Sequence, residues 1–181
     1  YLSRLRARWQ KDVGVCPPRV TSVLRIAILS GATTYPLRDL LEHLLAVDGI
    51  GCTLFVGEFD NYAAEILEPD GALYGFRPDV VILFPSERRC RYEGRLDDPL
   101  SQQRASALDT VQRLHELCDR IHDGTGAEVI LGNFIPPAYH DPGPFRSRTL
   151  AFEWNYRRLV NLELGLGASA HVHICDLEYL A

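Results

Sequence analysis

Methionine is absent from this chain, lysine is nearly so, and no long apolar run occurs. The missing methionine means that no initiator residue is included. A trimmed domain is expected, or a chain whose modified methionines are left out. Lys11 is the only lysine among 19 basic residues. That arginine bias reads as codon usage in a GC-rich bacterial genome; selection for bidentate contacts fits less well, because the arginines are scattered. No apolar stretch approaches the roughly 20 residues that span a membrane, and no signal core follows the basic N-terminus. A net charge of −5 gives no electrostatic footprint for nucleic acid. The five cysteines form no C-x-x-C pair, and their odd number argues against a disulfide framework. A reducing cytoplasm is therefore expected. Cys52, Cys118 and Cys175 sit in apolar stretches and read as small core residues. Cys90 lies among arginines that can lower a thiol pKa, which makes it the one candidate for a reactive thiol. Cys16 lies in the N-terminal linker.

What is present is alternation. The chain has 181 residues and is 46% hydrophobic, enough for one sizeable core. Leu2, Leu5 and Trp9 predict a short amphipathic helix, broken at Pro17-Pro18, so residues 1–20 read as an N-terminal helix and linker. Residues 21–181 read as one α/β domain. Strands are expected at 23–29, 52–56, 79–84, 128–131 and 171–175. Between them, helices are expected at 36–48, 61–67, 100–122 and 150–166, with Pro36 in the first turn of the first and Gly49 ending it. Apolar strands alternating with helices predict a five-stranded parallel sheet in a three-layer α/β/α sandwich with right-handed crossovers.

Ligands in such folds bind beyond the carboxyl ends of the strands. That singles out Ser30–Tyr35, Gly57–Asn61, Pro85–Arg89 and Gly132-Asn133 with the loop behind it. Ser30, Gly31, Ala32, Thr33 and Thr34 offer hydroxyls and backbone N–H groups at a helix start, an anion or carbonyl cradle. The plainer reading is that Thr33 or Thr34 caps the helix. The loop has neither the lysine of a phosphate-binding loop nor the glycines of a dinucleotide fingerprint. Asn133 can bond a ligand carbonyl or pin the following loop. His140 lies in a proline-rich loop long enough to be functional, although exposed histidines are usually solvated. Ser30, His140 and Asp176 can be named as a hydrolytic triad, but no G-x-S-x-G elbow exists. His171 and His173 alternate on one strand without a third metal ligand. His115 and His122 read as surface residues. No cofactor, metal or catalytic residue is assigned.

Four blocks resemble one family. The stretch from Arg25 to Leu37 (RIAILSGATTYPL) is similar to the opening strand and turn of the N-terminal domain of FkbH-like proteins. Glu58–Val81, Val129–Pro137 (VILGNFIPP) and Trp154–Leu180 resemble its later blocks in the same order. The resemblance implies an SGNH-hydrolase-like, flavodoxin-like fold that precedes a haloacid-dehalogenase-type (HAD) domain. In the family, that second domain forms glyceryl-carrier-protein extender units from a phosphorylated glycerate in polyketide pathways. This chain has no D-x-D-x-T motif, so that phosphoryl chemistry is not expected in it. SGNH hydrolases carry Gly-Asp-Ser-x-Thr after the first strand. Here Ala32 occupies the serine's place, Thr34 matches the threonine, and the block at Ser86 lacks the family's asparagine. The resemblance therefore implies a non-hydrolytic domain that binds or positions an acyl carrier protein or its glyceryl or acyl group. Ser30, Gly31, Ala32, Thr33, Thr34, Ser86, Asn133 and His140 are its candidate ligand contacts, and the HAD-like domain of the same protein its partner. The parent protein would be a HAD-type phosphatase or glyceryltransferase. An acyl-ester hydrolase or acyltransferase using Ser30, and a purely structural or oligomerisation domain, are the alternatives.

Overall fold

In the computed structural model, which describes residues 22–138 and 143–181, five strands form one parallel sheet. They are β1 (Ser22–Ser30), β2 (Ile50–Val56), β3 (Val80–Phe84), β4 (Glu128–Gly132) and β5 (Val172–Cys175). The order across the sheet is β2-β1-β3-β4-β5, and every pairing is parallel. The helices are α1 (Tyr35–Val47), α2 (Tyr62–Leu67), α3 (Ala72–Phe76), α4 (Leu100–Thr125), α5 (Glu153–Leu166) and α6 (Leu177–Leu180). The expected three-layer α/β sandwich is thus the observed one. The expected N-terminal helix over residues 1–20 lies outside the described residues, as do Cys16 and His140.

Side chains alternate across a strand with a period of two, and the alternation divides the sheet between two cores. Ala27, Leu29, Val81, Leu83, Val129 and Leu131 enter the larger core with α2, α4 and α5. Ile26, Ile28 and Ile82 face the other way, where Leu37, Leu41 and Leu45 of α1 cover them. The long helix α4 buries Ala107, Val111, Leu114, Cys118 and Ile121, a stripe at helical spacing. It ends at Gly126, whose φ of 74° is open to glycine at no steric cost.

Several expectations need correction. The helices α3 and α6 are too short to leave a periodic signal. The last long helix begins at Glu153 rather than Leu150, because Thr149 and Leu150 are held from outside: Thr149 Oγ1 and Leu150 N–H both donate to buried Gln103. His115 and His122 are half-buried and used. The His115 ring meets the Leu164 carbonyl at 3.2 Å, and His122 meets the Ala127 carbonyl at 2.9 Å while stacking on His171. Of the three cysteines expected in the core, Cys118 is fully buried; Cys52 and Cys175 are only partly so. Cys90 is corrected most sharply. It is fully buried, and loss of solvent pushes its thiol up to about 12 against the opposing pull of Arg157. A thiol held neutral is not a nucleophile.

Candidate functional site

The loops at the carboxyl edge of the sheet are tied together by their backbones. Gly31 N–H donates to the Phe84 carbonyl at 2.8 Å, and Asp60 N–H donates to the Ser30 carbonyl at 2.9 Å. Asp60 adopts φ 55°, an unfavourable region for a residue with a side chain. There its carboxylate meets Arg89 at 3.1 Å. A Cβ on Gly31 would lie 2.5 Å from the Cα of Ser86. Glycine is therefore required where β1 and β3 release their loops in opposite directions, at the switch point of the sheet.

This packing sets what the first loop can do. Ser30 is buried, and its Oγ accepts a hydrogen bond from Ala32 N–H at 2.9 Å. Ala32 itself is exposed and carries no functional group. Thr34 is the residue before α1, yet neither Thr33 nor Thr34 makes a side-chain cap. Pro36 removes one of the unpaired N–H groups instead. The capping reading is thereby corrected, and among the described residues the hydroxyls of Thr33 and Thr34 have no hydrogen-bond partner. They open, with Ala32, Tyr35, Arg38 and Phe59, onto a shallow groove of about 310 Å³ between the β1 and β2 loops. None of His43, His115, His122, His171 and His173 lines it.

Ser86 and Asn133 are placed elsewhere. Ser86 is buried against Gly31 and lines a second cavity on the α4 side. Tyr62 lies beside it, its phenol pKa raised by burial and pulled back by the Ser86 backbone. Asn133 has its amide committed: Nδ2 donates to Asp176 at 2.8 Å and Oδ1 accepts from Glu178 N–H at 3.1 Å. The amide thus ties the end of β4 to the segment after β5 rather than to the loop that follows Asn133. Asp176 is correspondingly occupied by Asn133 and by the Tyr179 N–H it caps, at the end of β5, with β3 and β4 lying between it and β1. Ser30 and Asp176 are not brought together, and the third member of that conceivable triad, His140, lies outside the described residues.

Two residues that hold this edge were missed by sequence reasoning. Arg157, buried on α5, donates to the carbonyls of Cys90, Ile135 and Glu87 and to the Glu153 carboxylate at 2.7–3.2 Å. Asn161, one turn on, accepts from Phe134 N–H at 2.9 Å and donates to the Phe134 carbonyl at 2.7 Å and to Glu178 at 2.8 Å. The signal was present: both lie at helical spacing beside the apolar stripe of Tyr156, Val160 and Leu164. A polar pair on a buried helix face has to satisfy something inside.

Together the fold and this edge define a three-layer α/β domain whose β1 and β2 loops flank a groove at the carboxyl edge of the sheet. No family model and no curated protein matches the chain. Among solved structures it is similar to the N-terminal part of the protein BF1531 from Bacteroides fragilis, which contains a phosphatase domain complexed with Mg. The TM-score is 0.73 at 19% identity, over 99% of this chain and 46% of that one. The likeness is one of fold, and this chain spans about half the length of that structure. Among the described residues no helix is long and apolar enough to cross a membrane.

Proposed function

We propose that this chain is a non-hydrolytic, SGNH-like domain of an FkbH-like protein, and that it binds or positions an acyl carrier protein or the glyceryl or acyl group tethered to it. It does so in the cytoplasm, in polyketide-type biosynthesis, beside a HAD-like domain of the same protein. The observation that carries the reading is the state of the β1 loop. Ala32 stands in the nucleophile's place, and the nearest serine, Ser30, is buried with its oxygen engaged by Ala32 N–H. Acyl transfer needs a hydroxyl within reach of a base. The loop instead offers the groove and the two uncommitted threonine hydroxyls that recognition requires. The fold shared with the N-terminal part of a protein that also contains a phosphatase domain supports the domain context.

The test is a titration of acylated carrier protein into the isotope-labelled chain, followed by NMR. Shifts confined to the β1 and β2 loops and weakened in Thr33→Val/Thr34→Val are expected. Absence of shifts leaves the structural role. Turnover of p-nitrophenyl esters that disappears in Ser30→Ala overturns the proposal in favour of a hydrolase.

A further inference from the structure

We propose that the cavity beyond the carboxyl end of β3 binds a small phosphate monoester. This site lies outside the groove assigned to the carrier, and the inference stands without that assignment. The cavity measures about 530 Å³ between the β3 loop and the middle of α4, a volume suited to a small ligand. It opens on the β3 side of the switch point, where parallel α/β sheets receive their ligands.

Its wall is a chain of hydroxyls. The Tyr156 phenol sits 3.0 Å from both Ser106 Oγ and Thr110 Oγ1, and Tyr156 is only 1% exposed. Arg113 reaches the same Thr110 oxygen at 3.4 Å. Phe134 and Leu114 supply apolar floor. This lining suits a short body that is part hydroxyl and part hydrocarbon.

The mouth specifies charge. In a chain of net charge −5, Arg88, Arg89, Arg91 and Arg113 all line this one cavity, with Glu93 the only carboxylate in the lining among the described residues. Three of the four already face carboxylates: Arg89 meets Asp60 at 3.1 Å, Arg113 meets Asp109 at 3.2 Å and Arg91 meets Glu93 at 3.8 Å. The Arg113 and Arg91 pairs are exposed on both sides, and exposed pairs are weak enough for the guanidiniums to turn to a better partner; in the Arg89 pair Asp60 is half-buried. Arg88 is exposed and has no partner among the described residues. A carboxylate ligand presents one face to one guanidinium fork. A phosphate monoester carries nearly two charges and three acceptor oxygens, and so engages several forks at once. That valence is what distinguishes the two anions here.

The experiment is calorimetric titration of the 181-residue chain with glycerol 3-phosphate, inorganic phosphate and glycerol. The expected result is millimolar or tighter binding of the ester, weaker binding of inorganic phosphate and none of glycerol. Arg88→Gln and Arg113→Gln, both surface changes, should each weaken the ester by about tenfold with unaltered melting of the free chain. No saturable heat, equal affinity for ester and inorganic phosphate, or affinity undiminished in both variants would overturn the proposal. Carrier binding at the β1 groove is read separately, so either proposal can fail alone.

Discussion

Replacing Arg157 with methionine removes a charge and five N–H donors while keeping most of the stem's volume. The side chain is 7% exposed; its guanidinium donates to four oxygens from three segments, the β3 loop at the Glu87 and Cys90 carbonyls, the β4 loop at Ile135, and Glu153 within α5, and it pairs with the Glu87 carboxylate at 3.6 Å. Breaking a buried ion pair by deleting one partner costs about 3–5 kcal/mol. Here the abandoned carboxylates soften the loss, because Glu153 and Glu87 are 37% and 51% exposed and can turn to water. Cys90 cannot; it is fully buried, and stranding its carbonyl costs about 1–3 kcal/mol. The lower end, about 3 kcal/mol, is therefore expected. In a domain of this size each kcal/mol lowers Tm by about 2–4 °C, giving a fall of roughly 6–12 °C. Arg157→Lys keeps the charge but not the fork that spans three carbonyls, so it should recover less than half of the loss. Urea and thermal unfolding measure both variants, and hydrogen exchange should show the β3 loop opening first. A methionine variant melting within 2 °C of the parent, or a lysine variant equal to it, refutes the assignment of Arg157 as the tie that holds the edge.

Two further outcomes follow from the same geometry. Gly31→Ala drives a Cβ to 2.5 Å from the Cα of Ser86, a backbone atom that cannot swing aside, and should cost about 3 kcal/mol in urea unfolding; Gly165→Ala on α5 meets nothing within 4 Å and should stabilise by about 0.5–1 kcal/mol. Burial raises the thiols of Cys90 and Cys118 to about 12. Unfolded thiols ionise near 8.5, so the stabilisation is whole below that pH and is lost as pH rises towards 12. The unfolding free energy from urea titration should fall from about pH 9 upward, by as much as about 1.4 kcal/mol per pH unit for each thiol. Cys118→Ala should remove about half of that slope, and a flat profile between pH 8 and 11 contradicts the burial of both thiols.

The strands were legible from their apolar runs, most clearly in β3 and in the second half of β1, where the sheet is buried; β3 and β4 begin and end within one residue of expectation. The long helix was legible from its stripe, although its last turn runs past His122 to Thr125 and Gly126, where a left-handed glycine stops it. What escaped was decided by contacts far apart in the chain. Nothing local says that Gln103 will receive Thr149 and Leu150, 46 and 47 residues on, and so delay the start of α5. Nor does local sequence say that Cys90, flanked by arginines, is sealed from water while the guanidinium nearest it comes from Arg157. Flanking charge was the wrong guide there, because desolvation outweighs the field of a cation whose own donors are already spent on carbonyls.

The candidate site divides along the same line. The loop after β1 was legible from the rule that ligands gather at carboxyl ends of parallel strands, a statement about topology that needs no contacts. The job of each side chain within it was not. Ser30 and Asn133 carry the right groups for a ligand, yet both spend them inside the fold, on Ala32 N–H and on Asp176 and Glu178. Thr33 and Thr34 looked like caps and are free of that duty. The arginines drew no notice as a group because Arg88 to Arg91 and Arg113 belong to a loop and a helix that only folding brings to one cavity. Backbone N–H and carbonyl groups must be satisfied wherever water is excluded, and the nearest hydroxyl or amide is taken for that first. The side chains left over, rather than those with the most suggestive chemistry, are where recognition on this edge has to be sought.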